Sequence, residues 1–310
     1  MSTLICGSFA FDSIMVFQGR FKDHILPDQV HILNVSFLVP TLRREFGGCA
    51  GNIAYSLALL DGSPVPMATI GDDGQPYLDH LRRWRIDHRF VRQVPGTLTA
   101  QAFITTDLDD NQITAFHPGA MSHSHLNRID PAGLELAILG PDGREGMLQH
   151  ARELSETGVP FIFDPGQGLP MFQADELQWF VERARYLALN DYEAKLMATK
   201  TGSDLQSLAR GLKAVVVTLG AQGSRIHADG RIVEIPAAPA REVVDPTGCG
   251  DAYRAGLLYG IAHALDWPTT GRLASVMGAL KIEQSGAQRH APSRAQIEER
   301  FFEAFGYRPW

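Results

Sequence analysis

The chain has 310 residues, of which 45% are hydrophobic and 20% are charged, and 28 Lys and Arg against 35 Asp and Glu give a formal net charge of −7. This composition is typical of a folded globular protein, and the acidic balance disfavours a general nucleic-acid binder, because phosphate backbones select basic surfaces. The three cysteines cannot form a disulfide framework and fit a reducing compartment. No uninterrupted apolar run is long enough to cross a membrane, and the first apolar run has no basic segment before it. We therefore expect a cytoplasmic protein without a signal peptide.

The first third of the chain predicts strands, helices and an antiparallel insertion. A buried strand is expected at 4–7, where a short apolar run stands alone. Residues 14–45 mix aromatic, β-branched and charged side chains with prolines, a pattern typical of irregular strands. Two strand-like runs between 98 and 117 flank the polar turn 107–111, which indicates a hairpin. The other expected elements here are a helix at 49–60, a strand at 67–71 and a helix at 77–85.

From residue 117 onwards, short apolar runs alternate with helical patterns, which predicts βαβ units and a parallel sheet. The expected strands are 136–140, 161–164, 186–190 and 214–219, and the helices between them are 145–157, 175–184 and 191–199. A hairpin is expected around 228–230, and helices at 251–264, 271–284 and 294–305 complete the chain. We therefore predict one α/β domain over 1–310, with strand insertions at 14–45 and 97–119, because two sequential domains would explain the pattern less well.

The strongest chemical signal is the segment from Asp245 to Asp251, which stands directly before an apolar helical pattern. The first amides of a helix point outward and the helix dipole favours negative charge, so Gly248, Cys249 and Gly250 could hold an anion. Asp251 would then accept a proton from a hydroxyl group that attacks this anion, an arrangement that suits phosphoryl transfer. In the simpler interpretation, Asp251 only caps the helix and the glycines only form a turn.

Two further signals lie near the first strand. Gly47 and Gly48 precede Asn52 at a predicted helix start, where glycines let the backbone approach a ligand and the Asn amide offers a donor and an acceptor. Asp12 follows the first strand, at the end of the sheet where open α/β folds bind ligands, and it could accept hydrogen bonds from two sugar hydroxyls. A tight turn and an exposed loop carboxylate are the alternatives.

Two more signals follow later strands. Asn190 and Glu193 stand at a strand-to-helix junction, where they could organise Mg²⁺ through oxygen ligands or simply form a capping box. Thr218, Gly220 and Gly223 follow the next strand, where they could admit a nucleotide or form an ordinary β-turn.

Four of these segments together resemble the ribokinase (PfkB-type) family of small-molecule kinases. They are 47–52, 190–193, 218–223 and 245–251. They occur in the family's order, and they cover nearly the whole chain. The resemblance implies a ribokinase-like α/β fold with a mostly parallel central sheet flanked by helices and a small β-sheet lid, and the two strand insertions are where we expect that lid.

The resemblance also implies a role for each matching residue. Asp251 is similar to the family's catalytic base, and the anion hole would be formed by the amides of Gly248, Cys249 and Gly250. The substrate-hydroxyl positions are matched by Asp12, Gly47, Gly48 and Asn52. The nucleotide positions are matched by Asn190, Thr218, Gly220 and Gly223.

Three cofactors are implied in the same way. Besides ATP, the resemblance implies Mg²⁺, which Glu193 would support indirectly. Asp245 and the stretch 285–288 resemble the region that holds a monovalent cation in many members, usually K⁺.

The acceptor is a separate question, because a fold does not decide a substrate. Segments 113–121 and 286–290 are most similar to the prokaryotic nucleoside and adenosine kinase branch. Met15, Phe17 and Phe116 could stack on a base, or they could pack the lid on the core. We therefore expect ATP-dependent phosphorylation of a nucleoside 5′-hydroxyl, with adenosine favoured and a ribokinase- or fructokinase-like sugar kinase as the alternative.

Other classes of protein fit less well. A non-catalytic nucleotide sensor would not need the intact acid at Asp251, and an NAD-dependent oxidoreductase would carry Gly-x-Gly-x-x-Gly after the first strand, which 7–12 do not supply. The expected partner is a small nucleoside or sugar, with no nucleic acid and no membrane. The edge of the predicted hairpin could also pair with a second copy in a homodimer.

Overall fold

The computed structural model describes residues 2–25, 34–109 and 111–310. The strands are β1 (Ser2–Cys6), β2 (Ala10–Val16), β3 (Thr41–Gly47), β4 (Ser63–Ile70), β5 (Phe90–Gln93), β6 (Ala100–Thr106), β7 (Gln112–His117), β8 (Leu134–Leu139), β9 (Phe161–Phe163), β10 (Tyr186–Asn190), β11 (Ala214–Thr218), β12 (Ser224–Ala228) and β13 (Arg231–Ile235). The helices are α1 (Cys49–Leu59), α2 (Gln75–Arg83), α3 (Arg144–Thr157), α4 (Ala174–Arg183), α5 (Asp191–Thr201), α6 (Leu205–Ala209), α7 (Cys249–Ala262), α8 (Trp267–Ile282) and α9 (Arg294–Phe305). Within the predicted insertions, 26–33 and residue 110 lie outside the described residues.

The main sheet runs in the order β13-β12-β11-β10-β9-β8-β1-β4-β5 among the described residues. Neighbouring strands from β5 to β11 are parallel, and β12 and β13 continue the sheet as an antiparallel hairpin. Parallel neighbours need crossover connections, which the helices supply. The predicted α/β fold with a mostly parallel sheet is therefore confirmed.

Helices cover both faces of the main sheet, so its central strands are apolar nearly throughout. Helices α1, α2, α7, α8 and α9 share one buried cluster with the sheet, and α3 to α6 share the other. Within the ranges given above, no helix is long and apolar enough to span a bilayer.

A separate small sheet has the strand order β3-β2-β6-β7, with β6 and β7 forming the predicted hairpin. Side chains in register share a face, and successive side chains alternate between the faces. Asp12 and Phe116 are both in register with the same residue of β6 and face one side. Met15, Leu42 and Ile113 form a row that faces the other side.

Some boundaries differ from the sequence predictions for local reasons. Strand β4 begins at Ser63, before the predicted start at 67. Its first residues include two prolines, which lack an N–H, and they pair with β1 on one side only, while β5 pairs with β4 from Met67 onwards. Helix α8 begins at Trp267 because the carboxylate of Asp266 accepts a hydrogen bond from the N–H of Thr269 at 2.7 Å. The short elements β5 and α6 were not predicted.

Candidate active site

The first turn of α7 carries the strongest predicted motif. Gly248 precedes the helix with a φ of 78°, a left-handed conformation that glycine adopts without strain. A Cβ atom on Gly248 would lie 2.8 Å from the Cβ of Ala287, whereas the space beside Gly250 is open. Among the described residues, the N–H groups of Gly248 and Gly250 have no acceptor, which leaves them available to an anion.

The amide of Cys249 is not available in the same way. Its N–H donates to the carbonyl oxygen of Pro246 at 3.1 Å, because the chain makes a β-turn there before the helix begins. The expected anion hole of three amides is therefore corrected to a candidate hole of two, formed by Gly248 and Gly250.

Asp251, the third residue of α7, is half-buried and joined to a chain of buried hydrogen bonds. Its carboxylate accepts from Nδ2 of Asn52 at 2.8 Å, and Oδ1 of Asn52 accepts from Nε2 of Gln288 at 2.9 Å. The same Gln288 nitrogen lies 2.9 Å from the hydroxyl of Tyr77, which donates to the carbonyl of Gly47 at 2.7 Å. The starts of α1 and α7 are thereby locked together around one carboxylate.

Asp12 lies at the other end of this chain of contacts. A Cβ atom on Gly47 would approach Oδ2 of Asp12 to 2.4 Å, so any side chain at this position would displace the carboxylate from its place over the backbone. Gly48 has a φ of 85°, and a Cβ there would lie 2.5 Å from the carbonyl oxygen of Ser8. The two glycines therefore bring the Asp12 strand and the start of α1 into close contact.

The environment favours the protonated forms of both carboxyl groups. Burial raises the pKa of Asp251 to about 7, the hydrogen bond from Asn52 opposes the rise, and the charge of Asp164 adds to it. Burial, followed by the charge of Glu45, raises the pKa of Asp12 to about 6. A carboxylate with a pKa near 7 is suited to accept a proton at neutral pH.

The predicted nucleotide residues lie at the ends of β10 and β11, where Asn190 and Thr218 are direct neighbours in register. The capping box is present: Oδ1 of Asn190 accepts from the N–H of Glu193, whose two carboxylate oxygens accept from the Asn190 backbone and amide. Gly220 and Gly223 have φ values of 58° and 87° and form the turn after β11. The predicted nucleotide residues therefore lie next to one another in space. The capping box explains the contacts of Asn190, and an ordinary turn explains the conformations of the two glycines.

Comparison with known proteins decides the family. The profile of the pfkB family of carbohydrate kinases matches residues 10–294. This chain belongs to the pfkB family. The nucleoside kinase of Methanothermobacter thermautotrophicus is 32% identical over 99% of this chain and 97% of its own.

Solved structures show which branch of the pfkB family this chain resembles. The structure of Burkholderia thailandensis nucleoside kinase in complex with inosine is 56% identical, with 99% of each chain covered and a TM-score of 0.90. Nucleoside kinase from Methanocaldococcus jannaschii is 27% identical, with 97% of this chain and 98% of that chain covered and a TM-score of 0.90. The ribokinase-like fold and membership of the nucleoside kinase branch are confirmed. The chain is a kinase that transfers a phosphoryl group to a hydroxyl group.

One buried ion pair of this pfkB kinase was missed by the sequence analysis. Arg254 follows Asp251 by one helical turn and donates two hydrogen bonds to the carboxylate of Asp164, at 3.0 and 3.2 Å. Both side chains are buried, and Asp164 directly follows β9. The pair fixes the first turn of α7 over the centre of the sheet. The acid at the end of a predicted strand was the available signal, but nothing in the sequence connected it to Arg254.

The predicted monovalent-cation residue, Asp245, is held by groups of the chain itself. Its carboxylate accepts hydrogen bonds from the N–H groups of Thr247 and Gly286, each at 2.8 Å. Its main-chain carbonyl accepts a hydrogen bond from Nζ of Lys281 at 2.7 Å. Lys281 is fully buried, and its burial could not be predicted because lysine in a helix is usually exposed.

For Met15, Phe17 and Phe116, stacking on a base and packing of the lid were the two alternatives, and only Phe116 faces the same side of the small sheet as Asp12. Phe116 is half exposed. Phe17 agrees with the packing alternative, because it is buried against Phe21 and Phe37, and Met15 faces the side opposite Asp12.

Proposed function

We propose that this kinase uses ATP and Mg²⁺ to phosphorylate the 5′-hydroxyl of a nucleoside, with adenosine among its acceptors. The hydrogen bond from Asn52 to Asp251 carries the proposal, because it orients a carboxylate with a pKa near 7 beside two free amides at a helix start. The relative crystallised with inosine, and the same enzyme crystallised with ADP-inosine, support a nucleoside acceptor and an adenine nucleotide donor.

In the proposed reaction, Asp251 takes the proton of the 5′-hydroxyl as that oxygen forms its bond to the γ-phosphorus. The bond from the γ-phosphorus to the bridging oxygen breaks, and ADP leaves with that electron pair. Asn52 keeps one carboxylate oxygen directed at the acceptor. The amides of Gly248 and Gly250 stabilise the charge on the transferring group, and Asp12 accepts hydrogen bonds from the ribose hydroxyls.

When bound, Mg²⁺ would neutralise charge on the ATP phosphates. Among the residues that the structure describes, no group of three or more His, Cys, Asp or Glu could hold a metal. Mg²⁺ commonly keeps several waters and takes the rest of its ligands from phosphates and one or two carboxylates. Both oxygens of Glu193 already accept hydrogen bonds from Asn190, so Glu193 fits a contact through water. Thr218, Gly220 and Gly223 would line the nucleotide beside Asn190.

A nucleoside is favoured over a free sugar by Phe116, whose exposed ring lies on the same face of the small sheet as Asp12. Stacking of a base on an aromatic ring is worth roughly 1–3 kcal/mol. A sugar kinase is the second candidate, because Asp12 over Gly47 would accept hydrogen bonds from the hydroxyls of a free sugar equally well.

An acceptor panel tests the proposal. ADP formation is measured with adenosine, inosine, cytidine, ribose and fructose, and we expect kcat/KM for adenosine to exceed that for ribose at least ~10-fold. Phe116→Ala should lower kcat/KM for adenosine ~10-fold and leave that for ribose unchanged. Phe302→Ala removes an exposed ring from α9 and serves as the matched control. Turnover of the sugars alone would remove the nucleoside assignment.

We also propose that two copies of the chain form a homodimer through the small sheet. In each copy, this sheet would act as a lid over the acceptor. Leu42, Phe103 and Ile113 are exposed on the face opposite Asp12, and β7 is an edge strand. Exposed apolar side chains grouped on one face are typical of an interface. Sedimentation velocity should give a dimer that Ile113→Asp dissociates, and a monomeric wild-type protein would contradict the proposal.

A further inference from the structure

Lys281 places a charged group beside two main-chain carbonyl oxygens. The side chain is fully buried near the end of α8. Its Nζ donates to the main-chain oxygens of Asp245 at 2.7 Å and Gln284 at 2.9 Å. No carboxylate in the described part of the chain lies within 4.0 Å of this nitrogen. A buried charge is costly unless it is well compensated. We therefore expect the ammonium group of Lys281 to have a structural or functional role.

Carbonyl oxygens at these distances would also suit a monovalent metal cation, which makes no directional bonds and needs only oxygen ligands. The two carbonyls belong to the loop that carries Asp245 and to the residue directly before Ser285. This is the region where a K⁺ ion was expected. An ion there would have to share both oxygens with the ammonium group, so the residues present do not fit K⁺.

We propose that the ammonium group of Lys281 takes the place of the monovalent cation, so that this kinase positions its anion hole without K⁺. The proposal rests on the assignment of the anion hole to the start of α7. Lys281 is a positioning residue in this account, because it acts through the two loops and touches no reacting atom.

The contacts around Asp245 explain how the ammonium group would act on the hole. It fixes the carbonyl of Asp245, whose carboxylate binds the N–H of Thr247 on one side and of Gly286 on the other. The next residue, Ala287, lies against Gly248, where a Cβ would approach to 2.8 Å. The following residue, Gln288, holds Asn52. One positive charge thus joins the loop before α7 to the loop that orients the partner of the catalytic carboxylate.

The location of the charge also suits the chemistry. Burial lowers the pKa of Lys281, while the nearby carboxylate of Asp245 opposes that shift and favours the charged form. A cation behind the start of α7 adds to the helix dipole, and both favour an anion at the free amides. Without the ammonium group, the carbonyl of Gln284 would lose this donor and the carbonyl of Asp245 would keep only the weak thiol donor of Cys249 at 3.8 Å, which loosens the turn.

The first test uses the wild-type enzyme. Turnover of adenosine and the melting temperature are measured in KCl and in tetramethylammonium chloride at equal ionic strength. We expect turnover to differ less than about twofold and the melting temperature to be the same, because no K⁺ is bound. A wild-type protein that needs K⁺ for turnover, or that K⁺ stabilises specifically, would overturn the proposal.

Two variants separate the charge from the packing. Lys281→Ala leaves both carbonyls facing the space of the deleted side chain. The loops should then shift the anion hole, and turnover should fall ~10²-fold without K⁺. K⁺ or NH₄⁺ should restore at least ~10-fold of that loss and raise the melting temperature of this variant by about 2 °C or more, while Li⁺ should not. Lys281→Met fills the space with an apolar chain and should lose a similar factor without rescue.

Lys200 supplies the matched control, because its Nζ also donates to two main-chain carbonyls, those of Pro170 and Phe172, away from the Asp245 loop. Lys200→Ala should show no effect of K⁺ on either measurement. Equal turnover of all three variants without K⁺ would remove Lys281 from this role. The melting temperatures decide the question even if the acceptor is not a nucleoside, and the wild-type measurement decides it if Lys281→Ala does not fold.

Discussion

Asp251→Asn isolates proton transfer from the other functions of the site. Asparagine has nearly the same shape and can accept the hydrogen bond from Asn52 through Oδ1, but it cannot take a proton from the acceptor. We expect kcat to fall ~10²–10⁴-fold, the usual contribution of a general base. The KM for ATP should change little, because the amides of Gly248 and Gly250 are backbone groups that the substitution leaves in place.

The same substitution is expected to stabilise the protein, and the pH dependence gives the sign. The pKa of Asp251 is raised from 3.8 to about 7, so between these values the folded state holds a proton that the unfolded state has lost. This group's contribution to stability therefore falls as the pH rises through that window, and its full cost is present above about pH 7. At 1.36 kcal/mol per pKa unit, the cost is ~4 kcal/mol at most, and asparagine does not bear it.

Urea unfolding at pH 5 and pH 8.5 tests this reasoning. The gain in the free energy of unfolding for Asp251→Asn should be larger at pH 8.5, by about 1–3 kcal/mol once solvent screening is allowed for. Asp266→Asn is the control, because asparagine caps α8 as well as aspartate does. An equal gain at both pH values would refute the assigned pKa, and undiminished turnover would refute the assigned base.

Further predictions concern the pH profile, the glycine under Asp12 and the buried ion pair. In the wild type, kcat/KM should rise with pH through about 7, and a flat profile between pH 6 and 8 would contradict a carboxylate base. Gly47→Ala should raise the acceptor KM ~10-fold or more, since its Cβ would displace the Asp12 carboxylate; Gly211→Ala, which has open space, should not. Asp164→Asn should cost ~3–5 kcal/mol of stability by leaving Arg254 buried and unpaired, and a loss below about 1 kcal/mol in urea unfolding would count against that role.

The fold could be predicted well because its signals are local. Short apolar runs bounded by turn residues, separated by helical patterns, are enough to predict the parallel sheet, and the polar turn at 107–111 is enough to predict the β6–β7 hairpin. The motif glycines could be found for a related reason. Gly248 precedes a helix in a left-handed conformation, and a residue that must adopt such a conformation is marked in the sequence by its own identity.

The contacts that hold the site together could not be predicted, because they join distant parts of the chain. Asn52 and Gln288 are separated by 236 positions, and Arg254 and Asp164 by 90. Neither pair leaves a periodic mark in the sequence. Lys281 is harder still, since its burial runs against the ordinary behaviour of lysine. The amide of Cys249 was misassigned because helix position alone does not reveal a β-turn that uses the same N–H.

The charges of the site connect these contacts to the chemistry. Before ATP binds, burial already raises the pKa of Asp251, and the negative charges of Asp164 and Asp12 add to the rise, while the hydrogen bond from Asn52 and the charge of Arg254 oppose it. The triphosphate adds further negative charge beside the same carboxylate, so its arrival should make Asp251 a stronger base when the acceptor hydroxyl must lose its proton. Proton transfer then neutralises Asp251 as the phosphoryl group approaches the new oxygen, which relieves repulsion between them. A close cation would lower the pKa of the base and remove this advantage, and in this site the guanidinium of Arg254 is paired with Asp164 and not with Asp251.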